Sequence, residues 1–155
     1  MKKSYYIAYG SNMDVEQMRH RCPTAELVGR AKLEGWQLLF KGSRTGCYAT
    51  IEEAAGYTVP VLVWTILPQD EQNLDWYEGF PNFYYKRALN VRVGGRLVRA
   101  MVYIMHEDRK CGMPSSAYYS VIKRAYDRFN FDKAILKQAL DNTMIKEVGA
   151  DVERN

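Results

Sequence analysis

Two short segments of the chain carry polar groups in positions where they could act on a ligand. The first, Tyr9-Gly10-Ser11-Asn12-Met13, follows a β-rich run over residues 4–9. A glycine directly after a strand lets the backbone turn sharply, so successive N–H groups can point the same way and bind a carboxylate or a developing oxyanion. The same residues also fit a plain strand-to-helix turn, in which Ser11 or Asn12 hydrogen-bonds to its own backbone.

The second segment places an acid, Glu78, at the end of a predicted helix. This helix begins at Pro68 and stops near Gly79-Phe80-Pro81. The helix dipole disfavours a negative charge at this end, and desolvation by neighbouring aromatic rings would raise the pKa of the carboxyl toward a useful acid–base value. The rings in question are those of Trp76, Tyr77, Phe80 and Phe83. The alternative is that Glu78 simply points into water.

Tyrosines supply further hydroxyl groups, since the chain has 12 of them in 155 residues. Most should pack a ring in the interior and keep the hydroxyl near a polar partner. A few that face a cavity could hydrogen-bond a zwitterionic ligand. The tyrosines in question include Tyr84-Tyr85, Tyr103 and Tyr118-Tyr119.

The size and composition of the chain indicate one ordinary domain. At 47% hydrophobic and 26% charged residues the chain is typical of globular proteins. A chain of this length buries enough surface to fold without disulfides or metals, so we expect a single domain over residues 1–155. No stretch approaches the ~20 apolar residues of a spanning helix, and no membrane partner is expected.

The cysteines and the basic residues argue against several kinds of site. Cys22, Cys47 and Cys111 are odd in number and far apart, and only His20 and His106 could join them as imidazole ligands. We therefore expect no disulfide framework, no metal site and a reducing, cytoplasmic compartment. The net charge is +4, and basic clusters lie at 19–21 and 123–128. They indicate solvated helix faces, so no nucleic-acid partner is expected.

The elements that must position these segments do not alternate regularly. Helices are expected after Asp14, Pro68, Ser115 and Asp132. Strands are expected at 4–9, in two pieces of 26–41 separated by Gly29 and Gly35, at 47–51 and 59–67 with a turn near Gly56, and at 83–93 and 96–106 around Gly94-Gly95. About six strands with irregularly inserted helices predict an α+β domain with a mostly antiparallel, curled sheet.

Four motifs, in order, resemble those of the γ-glutamylcyclotransferase family, also called the AIG2-like or BtrG-like fold. Ile7–Met13 is similar to its N-terminal YGSN loop, and Ala49-Thr50-Ile51 followed by Val61–Trp64 is similar to its ATI…GxVW strand pair. Leu74-Asp75-x-x-Glu78-Gly79 resembles the segment that bears its catalytic glutamate, and Pro114-Ser115-x-x-Tyr118 resembles the start of its late helix. The resemblance covers about residues 4–130.

The resemblance implies a small β-barrel with helices packed around it and a cavity at one mouth. Glu78 then matches the acid–base carboxylate, and Tyr118, Tyr85 and Tyr103 match tyrosines of the substrate pocket. The loop that holds the γ-glutamyl group through backbone N–H groups corresponds to Tyr6, Ile7, Ala8, Tyr9, Gly10, Ser11 and Asn12. One difficulty is internal to the sequence: a two-residue hairpin at Gly94-Gly95 pairs Lys86 with Tyr103, so either a bulge shifts the register or Tyr85 or Tyr103 misses the pocket.

The implied activity is cyclisation of a γ-glutamyl amide or amino acid to 5-oxoproline with release of an amine, catalysed without a cofactor. A monomer is expected, since this is the default state of a closed single domain. The leaving group stays open: a free amino acid, the side chain of lysine, or a protected amine of an antibiotic pathway. The glutathione-specific branch is not favoured. A non-catalytic small-ligand binding module and a partner-binding domain are the alternatives from other functional classes.

Overall fold

The computed structural model describes residues 2–43 and 45–154, and the side chains among them up to residue 145. The α-helices are α1 (Val15–Arg21), α2 (Pro68–Glu78), α3 (Ser116–Arg128) and α4 (Lys133–Arg154). The strands are β1 (Ser4–Ala8), β2 (Glu26–Ser43), β3 (Gly46–Ile66), β4 (Tyr84–Val93), β5 (Arg96–Met105) and β6 (Lys110–Cys111). A single 3₁₀ turn, Ser11–Met13, connects β1 to α1.

The described strands form one mixed sheet in the order β4-β5-β1-β3-β2-β6. Only β1 and β5 run parallel; the other neighbours are antiparallel. The sheet curls so far that β4 packs on β2, although three strands separate them in the order. A side-chain carbon at Gly29 on β2 would lie 3.3 Å from Cγ2 of Val93 on β4. The result is a half-barrel with helices around it, which confirms the predicted α+β fold and its mostly antiparallel sheet.

Three glycines that we expected to end strands instead bend them. β2 is continuous, and its register with β3 shifts between Leu27 and Gly29 and between Glu34 and Trp36. Gly35 and Gly56 have φ angles of 82° and 86°, which glycine adopts without strain. The prediction of separate strands is therefore wrong, because β2 and β3 form one long hairpin with bulges. These bulges bend the strands and so help to curl the sheet.

The hairpin between β4 and β5 has the geometry that its sequence predicts. Gly94 and Gly95 both have positive φ angles, 57° and 74°, and Val93 pairs with Arg96. Positive φ at both central residues fits a turn whose twist matches that of the flanking strands. The register runs without a bulge to the pair Lys86 and Tyr103.

The core lies inside the curled sheet, and β3 runs through its centre. Val61, Leu62 and Val63 are fully inaccessible to solvent, and Trp64 is buried. Four consecutive buried residues mean that this part of β3 is covered on both faces of the sheet. None of the helices in the described part of the chain is both long and apolar enough to cross a membrane.

A buried carboxylate, Asp70, fixes α2 to the segment that follows α1. Its oxygens accept hydrogen bonds from Thr24 Oγ1 at 2.6 Å and from the N–H of Leu67 at 3.0 Å. Asn73, one turn later on α2, donates through Nδ2 to the carbonyl oxygen of Arg21 at 2.9 Å. These bonds hold the C-terminal end of α1 against α2, so the two helices meet the sheet as one unit.

Candidate active site

A cavity of about 630 Å³ opens where the loop after β1, the end of α2, the start of β4 and the start of α3 meet. A pocket of this size suits a small organic ligand. Its inner wall is formed by residues from all four of these segments, and its rim is mostly aromatic. The aromatic and polar side chains that line it include Tyr6, Tyr9, Asn12, Arg21, Tyr48, Trp76, Tyr77, Glu78, Phe83, Tyr84, Tyr103 and Tyr118.

The loop after β1 presents its backbone to this cavity. Its turn is closed by hydrogen bonds from Met13 N–H to the Gly10 carbonyl, 3.1 Å, and from Asp14 N–H to the Ser11 carbonyl, 3.0 Å. The N–H groups of Ser11 and Asn12 donate to no acceptor among the described residues. Ser11 and Asn12 line the cavity, so these N–H groups can serve a ligand.

Gly10 is required here for space. A side-chain carbon at this position would lie 3.2 Å from Cβ of Ala49 and 3.4 Å from the hydroxyl of Tyr118. The missing side chain therefore lets α3 bring Tyr118 against the loop.

Glu78 is the last residue of α2, and the backbone turns away directly after it. Gly79 takes the left-handed conformation with φ of 65°, and the N–H of Phe80 donates to the carbonyl of Asp75 at 2.9 Å. This is the usual way in which glycine ends a helix. The side chain of Glu78 is left projecting into the cavity, where Oε1 accepts a hydrogen bond from Nδ2 of Asn12 at 3.3 Å.

Burial raises the pKa of Glu78 from its ordinary value of 4.5 to about 7, while the charge of Arg21 and the hydrogen bond from Asn12 act in the opposite direction. An acid with a pKa near neutrality can both accept and donate a proton at physiological pH. In the described part of the cavity wall, Glu78 is the single carboxylate.

The surroundings that desolvate Glu78 are only partly those we expected. Trp76 is 85% exposed, Tyr77 49% and Phe80 37%, whereas Phe83 is half-buried and lines the cavity. Glu78 instead raises the pKa values of four buried tyrosines that burial already raises: Tyr6, Tyr9, Tyr84 and Tyr118. The carboxylate is therefore surrounded by buried tyrosines of the sheet and α3, while the rings next to it on α2 stay exposed at the cavity opening.

Two of these tyrosines hold strand β3 at the cavity floor. The hydroxyl of Tyr118 accepts a hydrogen bond from the N–H of Ala49 at 3.0 Å. The hydroxyl of Tyr84 donates to the carbonyl of the same residue at 2.7 Å. Tyr118 keeps its own proton available to a ligand or to Ser11, whereas the proton of Tyr84 is already used.

The remaining inner tyrosines are likewise held by protein partners. Tyr9 donates to the carbonyl of Tyr103 at 2.6 Å, and Tyr6 accepts from Asn12 Nδ2 at 2.9 Å. Tyr103 lines the cavity with its ring but donates its hydroxyl proton to Asp75 at 2.6 Å. Lys86 bridges that carboxylate to Glu71, at 2.8 Å and 2.7 Å. Tyr103 thus braces α2.

Two residues proposed for the pocket lie elsewhere. Tyr85 stands on the opposite face of β4 from Tyr84, with its hydroxyl bonded to Glu107 and its ring 5.1 Å from that of His106. The hairpin register without a bulge explains this, since it sends Tyr85 and Tyr103 to opposite sides. Ala8 is buried in the core and its side chain does not line the cavity. Tyr6, Ile7, Tyr9, Gly10, Ser11, Asn12, Tyr103 and Tyr118 do line it, together with Glu78.

Arg21, Tyr84 and Tyr48 were missed by the sequence reasoning. Tyr84 could have been chosen instead of Tyr85 from the hairpin register alone. Arg21 was assigned to a solvated basic cluster, yet it is half-buried and lies in the cavity wall. No sequence signal separates it from Arg19, which forms an exposed pair with Glu16.

The arrangement suits proton transfer beside an oxyanion site. It combines one carboxyl group with a pKa near neutrality, unsatisfied backbone N–H donors and one hydroxyl donor. Among the described residues there is no group of three or more His, Cys, Asp or Glu side chains placed to hold a metal ion.

Comparison with known proteins agrees with the motifs. Residues 6–121 match the family model described as gamma-glutamyl cyclotransferase, AIG2-like. Human gamma-glutamylcyclotransferase is 31% identical over 127 residues, covering 76% of this chain and 66% of the human protein. The bovine gamma-glutamylcyclotransferase is 36% identical over 87 residues, covering 52% of this chain and 46% of the bovine protein. The matches therefore span less than two thirds of these curated relatives.

Solved structures show the same fold. A structure described as gamma-glutamyl cyclotransferase superposes with a TM-score of 0.80 at 24% identity, over 89% of this chain and 86% of the other. A human protein described as uncharacterized superposes with a TM-score of 0.79 at 25% identity, over 90% of this chain and 87% of the other. With a family model that matches most of its length, the chain belongs to the gamma-glutamyl cyclotransferase, AIG2-like family.

Proposed function

We propose that this protein is a γ-glutamylcyclotransferase that converts a γ-glutamyl amide or γ-glutamyl amino acid into 5-oxoproline and a free amine, with Glu78 as general acid and base. The observation that carries the proposal is the position of Glu78. Its carboxyl group lies in the cavity with a pKa of about 7, next to a loop with unsatisfied N–H donors. Relatives named gamma-glutamylcyclotransferase support the same reaction.

The nucleophile in this reaction belongs to the substrate. The α-amine of a γ-glutamyl group can reach its own γ-carbonyl carbon and close a five-membered ring. The protein then needs to hold the substrate in the attacking conformation, and good orientation can supply about 7–11 kcal/mol of the barrier. A cavity whose inner hydroxyls are fixed by protein partners is suited to this task.

Glu78 would move the protons. The α-amine arrives at neutral pH as an ammonium, which has no lone pair for attack, so Glu78 first accepts a proton from it. As the tetrahedral intermediate collapses, the C–N bond to the leaving amine breaks and Glu78 delivers the proton to that nitrogen. The ring nitrogen still carries two protons and the lactam keeps one, so Glu78 accepts the other and passes it to the released amine, which departs as an ammonium. With a pKa near 7 the same carboxyl group can perform both steps.

The loop after β1 would stabilise the intermediate. Negative charge develops on the former γ-carbonyl oxygen, and the N–H groups of Ser11 and Asn12 are the unsatisfied donors beside Glu78. A preorganised donor of this kind contributes about 3 kcal/mol. The hydroxyl of Tyr118, which already accepts from Ala49, can donate to the substrate from the opposite wall.

A non-catalytic binding module is the weaker reading. A binding protein has no need for an acid at a helix C-terminus, where both the dipole and burial disfavour the charged form. We also propose that the protein is a monomer in the cytoplasm. The leaving group is a free amino acid, the side chain of lysine or a protected amine of an antibiotic pathway. Support for the compartment comes from the cysteines, which are odd in number and far apart in sequence.

The proposal is tested by measuring 5-oxoproline release from γ-glutamyl-alanine, γ-glutamyl-ε-lysine, a γ-glutamyl aminoglycoside and glutathione. We expect release from at least one of the first three, with a stoichiometric amount of free amine. If none of the four yields 5-oxoproline while one of them still raises the melting temperature, the binding module is the better interpretation.

A further inference from the structure

Arg21 holds the loop after β1 to the end of α2. Its Nη1 donates to Ser11 Oγ at 3.2 Å and to Oδ1 of Asn12, and its Nη2 donates to the hydroxyl of Tyr77. The guanidinium carbon also lies 3.5 Å from the centre of the Tyr77 ring. The planar fork of an arginine is suited to bridging several acceptors at once.

These contacts decide how the amide of Asn12 is oriented. Arginine has donors and no acceptor, so the atom of Asn12 that faces it must be Oδ1. The amide nitrogen must then face the opposite way, where it donates to the hydroxyl of Tyr6 at 2.9 Å and to Oε1 of Glu78 at 3.3 Å. Asn12 is 4% exposed, so water has little access with which to replace these bonds.

One oxygen of Glu78 is thereby assigned as an acceptor. Because Oε1 accepts a hydrogen bond from Asn12, it is the poorer place for the carboxyl proton, and Oε2 becomes the oxygen that carries it. Reversing the Asn12 amide would place Oδ1 against Oε1 and bring two acceptors together. The orientation thus controls which oxygen of Glu78 can exchange a proton with the substrate.

We propose that Arg21 is a positioning residue for Glu78: it orients Asn12 so that Oε2 exchanges the proton, and its charge favours the ionised carboxylate that accepts the first proton. This inference rests on the proposed function of Glu78. The hydrogen-bond chain from Arg21 through Asn12 to Glu78 carries it, because each donor and acceptor in that chain is fixed by the next.

The other groups around Glu78 do not share this role. Tyr6, Tyr9, Tyr84 and Tyr118 face it from β1, the following loop, β4 and α3, and burial raises the pKa of each, so all stay neutral near pH 7. On the α1 side, burial raises the pKa of the Cys22 thiol to about 12, so it too is neutral. Asp75 lies one turn back on α2 and is paired with Lys86. Arg21 is therefore the one cation in the described cavity wall.

The test compares Arg21→Gln, Arg21→Met and Arg21→Lys with the unaltered protein. Two quantities are measured: the pH dependence of kcat/KM for 5-oxoproline release, and the titration of Glu78 by ¹³C NMR of labelled glutamate carboxyls, assigned by its absence in Glu78→Gln. The NMR titration needs no turnover, so it tests Arg21 even if the unaltered protein releases no 5-oxoproline and the proposed function fails. Tyr77→Phe is the matched control, because it removes one partner of Arg21 and keeps the charge.

We expect the pKa of Glu78 and the acid limb of the profile to move up by about one pH unit in the Gln and Met variants. In the Lys variant and in Tyr77→Phe the pKa of Glu78 should stay near that of the unaltered protein, because both keep the positive charge. Arg21→Met also loses the hydrogen bonds that Arg21 donates to the loop, and this variant could fail to fold. Arg21→Gln removes the charge but keeps an amide donor, so it tests the inference in that case. A Glu78 pKa in Arg21→Gln that equals that of the unaltered protein would contradict the inference.

Discussion

The inner wall and the rim of the cavity are built in opposite ways. At the inner wall, Tyr6, Tyr9, Asn12 and Tyr84 are buried, and their polar atoms are held by other protein groups. At the rim, Trp76 and Tyr48 are exposed rings that line the opening and contribute mostly apolar surface. The inner wall can therefore impose one geometry on a ligand, whereas the rim can accept groups of different shape.

This difference predicts where the two halves of a γ-glutamyl substrate bind: the glutamyl part at the inner wall and the leaving amine at the rim. The glutamyl part is constant and needs its amine, carbonyl and carboxylate placed accurately, which fixed donors and acceptors do well. The leaving amine varies between substrates, and an exposed aromatic surface can bind it without demanding a single shape. Changes at the inner wall should consequently alter kcat, and changes at the rim should alter KM.

The largest expected effect comes from blocking the substrate's own amine. A γ-glutamyl substrate whose α-amine is acetylated has no nucleophile, so 5-oxoproline should fall below detection, whatever the rim binds. Competition by the acetylated compound against the parent substrate reports whether it still enters the cavity. Appreciable cyclisation of the acetylated substrate would remove the α-amine from the mechanism.

A smaller effect is expected at the wall of α3. Tyr118→Phe removes an acceptor from the Ala49 N–H and a donor from the substrate, each worth about 1 kcal/mol. We expect kcat/KM to fall about 5-fold if only the substrate donor counts and about 30-fold if both do. Tyr85→Phe likewise removes a tyrosine hydroxyl, but from a residue of β4 that lies outside the cavity. It should change kcat/KM by less than about twofold. Equal losses in the two variants would contradict the structure, in which Tyr118 lines the cavity and Tyr85 lies outside it.

The rim should respond to the leaving group alone. Trp76→Ala should raise KM for γ-glutamyl-phenylalanine about 3- to 10-fold, because an aromatic contact contributes about 0.5–1.5 kcal/mol, and leave KM for γ-glutamyl-alanine nearly unchanged. Trp76 is mostly exposed, so the substitution should not disturb the fold. A fall in kcat shared by both substrates would show that the rim also positions the glutamyl part.

The ionisation of Glu78 should also make the free energy of unfolding depend on pH. Native Glu78 has a pKa of about 7 against 4.5 in its ordinary state, so it favours the fold most below pH 4.5, and this advantage is lost as the pH rises through about 7. Glu78→Gln lacks this dependence. Relative to the unaltered protein, its free energy of unfolding should therefore increase by about 1–3 kcal/mol between pH 4 and pH 8. Urea denaturation at both values measures this, and a pH-independent difference would contradict the buried, raised pKa.

The sequence predicted the parts of the site that depend on local backbone chemistry. The glycine after β1, the helix end at Gly79 and the turn at Gly94-Gly95 each require a conformation or a closeness that few residues allow, and the structure has all three. The two-residue turn at Gly94-Gly95 also predicted the register of the hairpin, and the structure confirms the pairing of Lys86 with Tyr103.

Features that depend on how distant segments meet could not be predicted in this way. Glycines in β2 and β3 signal a break in the pattern, but only packing decides whether the strand ends or bulges. Arg21 and Arg19 are two residues apart on α1, and one enters the cavity because Asn73 and Asp70 hold that end of α1 against α2. Likewise, Trp76 and Tyr77, next to Glu78 in sequence, are exposed, and buried tyrosines from other elements surround its carboxylate.

The central claim is that Glu78 transfers the protons of the cyclisation, and single-turnover release of 5-oxoproline by Glu78→Gln tests it most directly. The glutamine keeps the shape and a hydrogen-bonding group but cannot exchange a proton at neutral pH. We predict a rate lower by about 10²–10⁴-fold, with the fold retained by circular dichroism and substrate binding retained by calorimetry. A folded Glu78→Gln variant that cyclises bound substrate within tenfold of the unaltered rate would contradict the account.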